Sequence, residues 1–372
     1  MSDYQYKVTA AGRINIIGEH VDYCGGKVMP AAISLKNSVY VRPNGTDKIN
    51  IEWTTLPDKV SLDIGRLDEY RGLKYGNYQA GGALMWQRAG HKVVGCDMLH
   101  DCTVPFGSGL SSSAAIEVST IAALATVAGE QFDPVDVALK AQQAEREYAG
   151  VNCGIMDQYA AACGKKDNAI LLDCNTLERE YIPLKLGEYS LVIINSNKPH
   201  SLVESRYNER RAETDEAFGI LKKYAAISCL ADLSADEFQR LGHLLPATLR
   251  NRVRHVVEEC NRVNIAAEAM SVGDMVFLGR LLNKSHKSLS ELYEVTGREM
   301  DALAYAAQSH PACAGSRMIG GGFGGSTISI VRTSGISDFI SFVLEKYNRA
   351  TGLVAESYTA DISDGITVEK IQ

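Results

Sequence analysis

The chain has 372 residues, 45% hydrophobic and 22% charged, the balance of a globular protein long enough for two domains that each bury a core. Its net charge of −7, with no lysine- or arginine-rich run, gives no electrostatic footprint for nucleic acid or an anionic membrane. No segment reaches the roughly 20 apolar residues of a membrane span, and the opening MSDYQYKVTAAG lacks the apolar centre of a secretory signal. A cytoplasmic protein is expected. The nine cysteines are scattered without a CxxC pair, which points to reduced thiols rather than a disulfide framework or a zinc site.

In chain order, the first notable segment is Gly12 to Pro30, GRINIIGEHVDYCGGKVMP. It places Arg13, Glu19, His20 and Asp22 beside the apolar Ile14, Ile16 and Ile17. Polar groups so dense next to a buried-looking strand need partners, because an unpaired buried charge or donor is costly. A ligand rich in hydroxyls, such as a sugar, would supply them. Val39 to Val41 and Ile49 to Ile51 read as short strands, and Asn77 to Arg88 has helical spacing.

VPFGSGLSSSAA, Val104 to Ala115, then sets Gly107 and Gly109 before Ser111, Ser112 and Ser113, and a long buried helix of small and apolar residues is expected from Ser111 to Ala128. Glycines permit close backbone approach, and the free amides of a helix start make an anion site. The serine hydroxyls add a hard oxygen suited to Mg²⁺. The loop is neither a Walker A sequence, lacking GKS or GKT, nor a dinucleotide fingerprint, lacking the third glycine. Asp133-Pro134 opens a further helix that Gly150 stops, and on it Glu145 follows Ala138 and Ala141 along an apolar flank. An inward carboxylate there calls for a cation, whereas Glu147 suits solvent. Asp157, in CGIMDQYAA, sits among apolar neighbours and should be paired.

Leu191 to Asn195 reads as a buried strand, Arg206 to about residue 307 as mostly helices, Ser326 to Val331 as a strand and Phe339 to Tyr347 as a helix. The five glycines of GGGFGGS, Gly320 to Ser326, have no side chains to fill a core, so close approach to another backbone is their expected purpose. Strands and helices mix without a regular βαβ repeat, which argues for an α+β fold.

The motif GRxNxIGEHxDYxGG resembles the galactokinase signature, and the serine loop and the GGGFGGS motif resemble those of the wider GHMP small-molecule kinases. The resemblance runs in register from Gly12 to the C-terminus. It implies a two-domain α+β fold with the active site in the cleft between domains: 1–180 with the sugar signature and phosphate loop, and 181–372 with the glycine-rich motif. It further implies transfer of the γ-phosphoryl group of MgATP to the C1 hydroxyl of galactose, with no obligate protein partner.

By resemblance, Gly107, Ser108, Gly109, Leu110, Ser111, Ser112 and Ser113 wrap the ATP phosphates, and Ser113 and Glu145 hold Mg²⁺. Glu19, His20, Asp22, Gly154, Asp157 and Tyr207 take the sugar, the tyrosine from SLVESRYNERR. Asp157 and its implied partner Arg13 are the catalytic pair. A cation beside a carboxylate makes it a weaker base, so Asp157 is expected to orient the hydroxyl and collect its proton late.

Ile319, Ser326 and Arg206 depart from residues usual in the family, and Arg206 bears on the exact sugar. Cys24 resembles the N-acetylgalactosamine kinases, so that sugar or another galactose derivative is the alternative substrate. A non-catalytic galactose and ATP sensor is a further alternative, opposed by the intact Ser111–Ser113 run. Mevalonate and homoserine kinases do not account for GEHVDY.

Overall fold

The computed structural model describes residues 3–198 and 203–372, so Met1 and Ser2, and Ser201 and Leu202 of the SLVESRYNERR segment, lie outside the described residues. Three sheets organise the described residues. The six-stranded sheet runs Thr367–Lys370, Tyr6–Asn15, Pro30–Pro43, Cys96–Cys102, Lys48–Trp53, Lys59–Asp63. Among its pairings only Lys48–Trp53 with Cys96–Cys102 is parallel; the rest are antiparallel. That mixture, with helices gathered on the sheets, is the expected α+β architecture.

The two short strands read around Val39 and Ile49 are parts of longer ones, Pro30–Pro43 and Lys48–Trp53. The helix Asn77–Arg88 spans its expected bounds, and Ser112–Ala128 begins one residue after Ser111, which caps it in the left-handed conformation (φ 60°). Alanine and β-branched residues bury this helix against Tyr6–Asn15 and Pro30–Pro43, and Gly129 ends it at φ 73°.

The Asp133 side chain accepts from Val135 N at 3.0 Å, starting helix Pro134–Ala144 as expected. That helix continues as a π turn, Glu145–Ala149, before Gly150 stops it at φ 85°. Such a turn inside a helix often marks a functional site, and here it begins at Glu145.

The change of sheet comes after Pro183. Residue 180 itself lies in strand Arg179–Pro183 of the three-stranded sheet, and Tyr189–Asn195 opens the four-stranded one with Cys313–Met318, Ser326–Arg332 and Glu356–Thr359. Helices Gly297–Gln308 and Ile336–Thr351 pack together beside that sheet through Leu303, Ala307, Phe339, Val343 and Tyr347. The end of the chain then returns to the first lobe, where Thr367–Lys370 pairs antiparallel with Tyr6–Asn15. Among the described residues no helix is long and apolar enough to cross a membrane, and all nine cysteines are free thiols.

Candidate active site

A register shift in strand Tyr6–Asn15 between Ala11 and Arg13 starts the site. It lets Arg13 N donate to Leu110 O at 3.1 Å, so the serine loop docks on the strand edge. A Cβ on Gly12 would stand 2.9 Å from that carbonyl, which explains the glycine.

The loop is pinned from its other side by the glycine-rich motif. Ser326 Oγ donates to Ser108 O at 2.6 Å, and a Cβ on Gly320 would lie 3.0 Å from Gly109 O. Backbone against backbone is thus what the bare glycines permit. The unusual Ser326 supplies a bond here. Ile319 is fully buried in the core. Arg206 lies over the Phe323 ring, 5.3 Å from its centroid.

Arg13 is buried and spans the two halves of the site. Its Nε and Nη2 donate to the two oxygens of Asp157, each at 2.7 Å, while Nη1 donates to Gly109 O at 2.6 Å. Burial alone would push this guanidinium down, yet Asp157 and then Glu19 hold it above its ordinary value. Ser111 Oγ also donates to Asp157 Oδ2. Asp157 lies in the first turn of helix Met156–Cys163, where the macrodipole favours a negative charge.

Glu145 closes the opposite wall, accepting from Ser113 Oγ at 3.1 Å. Burial, then the Asp157 charge, pushes its carboxyl up to about 7. Neighbouring Glu147 is exposed, as its sequence setting suggests.

A cavity of about 230 Å³ is lined by Arg13, Glu19, His20, Asp22, Gly107, Gly109, Ser111, Ser112, Ser113, Glu145, Gly154, Asp157 and Tyr207. These are the expected site residues except Ser108 and Leu110, which are fully buried outside its lining. Ser108 Oγ bonds Pro105 O at 2.7 Å, so both residues serve the loop's own packing.

On the polar side, Glu19 Oε1 accepts from Gly320 N at 2.9 Å and Arg317 Nη2 at 3.1 Å. His20 holds a left-handed backbone (φ 61°) uncommon for a non-glycine residue. Its Nδ1 pairs with Tyr23 Oη, which pairs with Tyr293 Oη, each at 2.8 Å. Burial pushes His20 down to about 3, so the ring is neutral.

Burial, then the Asp157 charge, pushes Asp22 up to about 7. A sugar hydroxyl donates more strongly to an ionised carboxylate than to a neutral acid. With Asp22 as the sugar contact that the signature implies, galactose binding is expected to release a proton near pH 6 and to tighten as pH rises through about 7. Calorimetry in two buffers of different ionisation heat, with Asp22→Asn as control, checks this. Equal heats for the parent protein in both buffers would contradict it.

Gly154 makes room for that carboxylate, since a Cβ there would stand 1.8 Å from Asp22 Oδ2. Gly154→Ala must expel Asp22, so galactose Kd should weaken about 10- to 100-fold, the worth of one charged hydrogen bond. Titration calorimetry reads it, and an unchanged Kd would remove Asp22 from sugar contact.

Sequence reasoning missed several supports. Tyr293, Arg317 and Glu259 are buried residues far along the chain from the signature they brace. Glu259 Oε1 accepts from Gly18 N at 3.0 Å and Ser285 Oγ at 2.6 Å. A second cavity of about 570 Å³ was also unread. It shares Gly107, Ser112 and Ser113 with the first, and Trp53, Tyr75 and Phe106 give it an aromatic wall beside Ile116.

The serine and glycine loops interlock beside a polar cavity, and both halves of the chain match one class of kinase. Residues 77–165 match the GHMP kinases N terminal domain and 266–349 the GHMP kinases C terminal. The fold is shared with the mevalonate kinase of Methanococcus jannaschii at a TM-score of 0.70 and 15% identity, over 97% of this chain and 99% of that one. Residues 2–43 match the galactokinase galactose-binding signature.

The galactokinase of Clostridium tetani is 42% identical over 95% of this chain and 91% of its own. That of Limosilactobacillus fermentum is 42% identical over 95% and 92%. The crystal structure of Lactococcus lactis galactokinase complexed with galactose matches with a TM-score of 0.95 at 38% identity, covering 98% of this chain and 95% of that one. This chain belongs to the galactokinase family and is an ATP-dependent sugar kinase.

Proposed function

We propose that this protein transfers the γ-phosphoryl group of ATP to the C1 hydroxyl of α-D-galactose, giving galactose 1-phosphate and ADP. The observation that carries this reading is the Arg13–Asp157 clamp. It joins a cavity wall rich in sugar-binding groups to the backbone of the phosphate loop. Asp22, Tyr207, Glu19, His20 and the Gly154 backbone take the sugar hydroxyls. Asp157, fixed by Arg13 and Ser111, orients the C1 hydroxyl toward the phosphate and collects its proton late. Arg13 steadies charge on the phosphoryl group as it passes. Phosphoryl transfer has a loose transition state, so positioning and charge neutralisation carry most of the acceleration.

Gly107 to Ser113 wrap the phosphates, and the aromatic cavity beside them takes the adenine. Ser113 and Glu145 offer two hard oxygens 3.1 Å apart. Among the described residues no group of three or more His, Cys, Asp or Glu side chains is arranged to hold a metal. Two oxygens suit Mg²⁺, which leaves its other positions to phosphates and water. When bound, the ion supplies neutralisation of phosphate charge.

Unsubstituted galactose is favoured over its acetamido derivative because the relatives at 42% identity are galactokinases. Cys24 lies outside the lining of the sugar cavity but lines an adjoining cavity of about 410 Å³ that shares Asp22 and Gly154 with it. An ATP-dependent assay over galactose, N-acetylgalactosamine, galactosamine, galacturonate, glucose and mevalonate tests the reading. Preference for galactose is expected. Preference for the acetamido sugar would reassign the pocket, and binding without turnover would favour a sensor.

A further inference from the structure

Glu145 is held from behind as well as by Ser113. Its Oε2 accepts from the Gln158 amide Nε2, which also donates to Glu117 Oε2 at 3.4 Å, and from the weaker Cys153 thiol at 3.7 Å. Gln158 and Glu117 are fully buried, and neither lines the phosphate cavity. Gln158 Oε1 and Glu117 Oε1 have no hydrogen-bond partner. A core that served packing alone would avoid such orphaned polar atoms, so their retention calls for a reason.

We propose that Gln158, backed by Glu117, is a positioning residue that decides which oxygen of Glu145 faces the phosphate cavity. This rests on the reading of Glu145 as a metal ligand. The terminal torsion of a glutamate is broad and roughly two-fold, so nothing within Glu145 selects an orientation. An amide NH₂ is suited to the task because it offers two donors and no charge. One donor fixes Oε2 and the other anchors on Glu117, leaving Oε1 beside Ser113. A lysine in its place would neutralise the carboxylate, and a hydroxyl would have only one donor to give. Asp157 and Gln158 are adjacent, so about 100° of helix rotation sends one toward the sugar and the other toward Glu145. The first turn of helix Met156–Cys163 thereby sets the direction of two of the site's carboxylates, Asp157 and Glu145.

The test compares Gln158→Met, Glu117→Leu, Glu117→Gln and Glu145→Gln as enzyme–ADP complexes. Binding of Mn²⁺ is read by its free-ion paramagnetic resonance signal, and galactose binding by calorimetry. Gln158→Met should weaken Mn²⁺ binding about tenfold or more, the usual loss when the partner behind a ligand is removed. Galactose Kd should stay within about twofold. Glu117→Gln keeps an acceptor for the amide and should hold Mn²⁺ like the parent, whereas Glu117→Leu should not.

If Glu145→Gln weakens Mn²⁺ binding but Gln158→Met does not, the positioning role is overturned and the metal reading stands. If Glu145→Gln itself leaves Mn²⁺ binding unchanged, the metal reading has failed. Parallel losses of galactose and Mn²⁺ in Gln158→Met would mean a merely structural role. Should Gln158→Met fail to fold, the contrast between Glu117→Leu and Glu117→Gln decides the question: equal Mn²⁺ binding in both overturns the role.

Discussion

Asp157→Asn is expected to lower kcat by about 10²- to 10⁴-fold, the range of a positioned proton acceptor. Galactose Kd should change by less than about threefold, because the interaction lost belongs to the transition state. The asparagine keeps the shape of the side chain and one oxygen for Arg13, but it can neither collect the C1 proton nor offset the guanidinium. Arg13 is 3% exposed, so the variant also leaves a buried cation without its paired carboxylate, with the charges of Glu19 and Asp22 farther off. Some thermal stability should be lost with the turnover. Arg13→Lys separates the two effects, since a point charge restores neutrality without the two-pronged hold on Asp157. Near-normal turnover in Asp157→Asn would remove Asp157 from the mechanism. A loss confined to sugar affinity would make it a ligand of the ground state.

What could be read from sequence was whatever is local. Asp133-Pro134 opens a helix by its own chemistry, and Gly129 and Gly150 end theirs in the left-handed conformation. The three motifs named most of the cavity wall because each packs its polar groups within a few residues. Ser108 and Leu110 show the limit of that reading: a motif gives the path of the backbone, but burial decides which side chains reach the ligand.

The unread part is made of side-chain pairings across long separations. Tyr293 braces Tyr23 and His20 from a π turn 270 residues later. Neither periodicity nor composition marks such a partner. The aromatic cavity beside the phosphates draws Trp53 from a strand and Tyr75 and Phe106 from outside the regular elements, so no single motif encodes it.

Arg317→Met is expected to destabilise the protein by about 3–5 kcal/mol, the usual cost of breaking a buried pair by removing one partner. Arg317 is among the largest fully buried side chains of the described residues and sits in strand Cys313–Met318 of the four-stranded sheet. Its Nε donates to Ile16 O at 2.8 Å, its Nη2 to Asn15 O and to Glu19 Oε1, and its Nη1 to Met318 O at 2.8 Å. One guanidinium therefore ties the second lobe to the start of the sugar signature. Methionine fills similar volume but removes the donor from three carbonyls and one of the two donors from Glu19 Oε1. Arg317→Lys should recover only part of the loss, since an ammonium cannot reproduce the planar fan of bonds.

Urea unfolding followed by two probes checks the size of the effect and whether the lobes still unfold together. Separation of a single transition into two would show that Arg317 couples the lobes. A change below about 1 kcal/mol would mean the bonds are replaced by water at little cost. Because Glu19 and Gly320 share this guanidinium's anchor, turnover should fall together with stability. Stability lost with full turnover at low temperature would show that the catalytic geometry survives without that anchor.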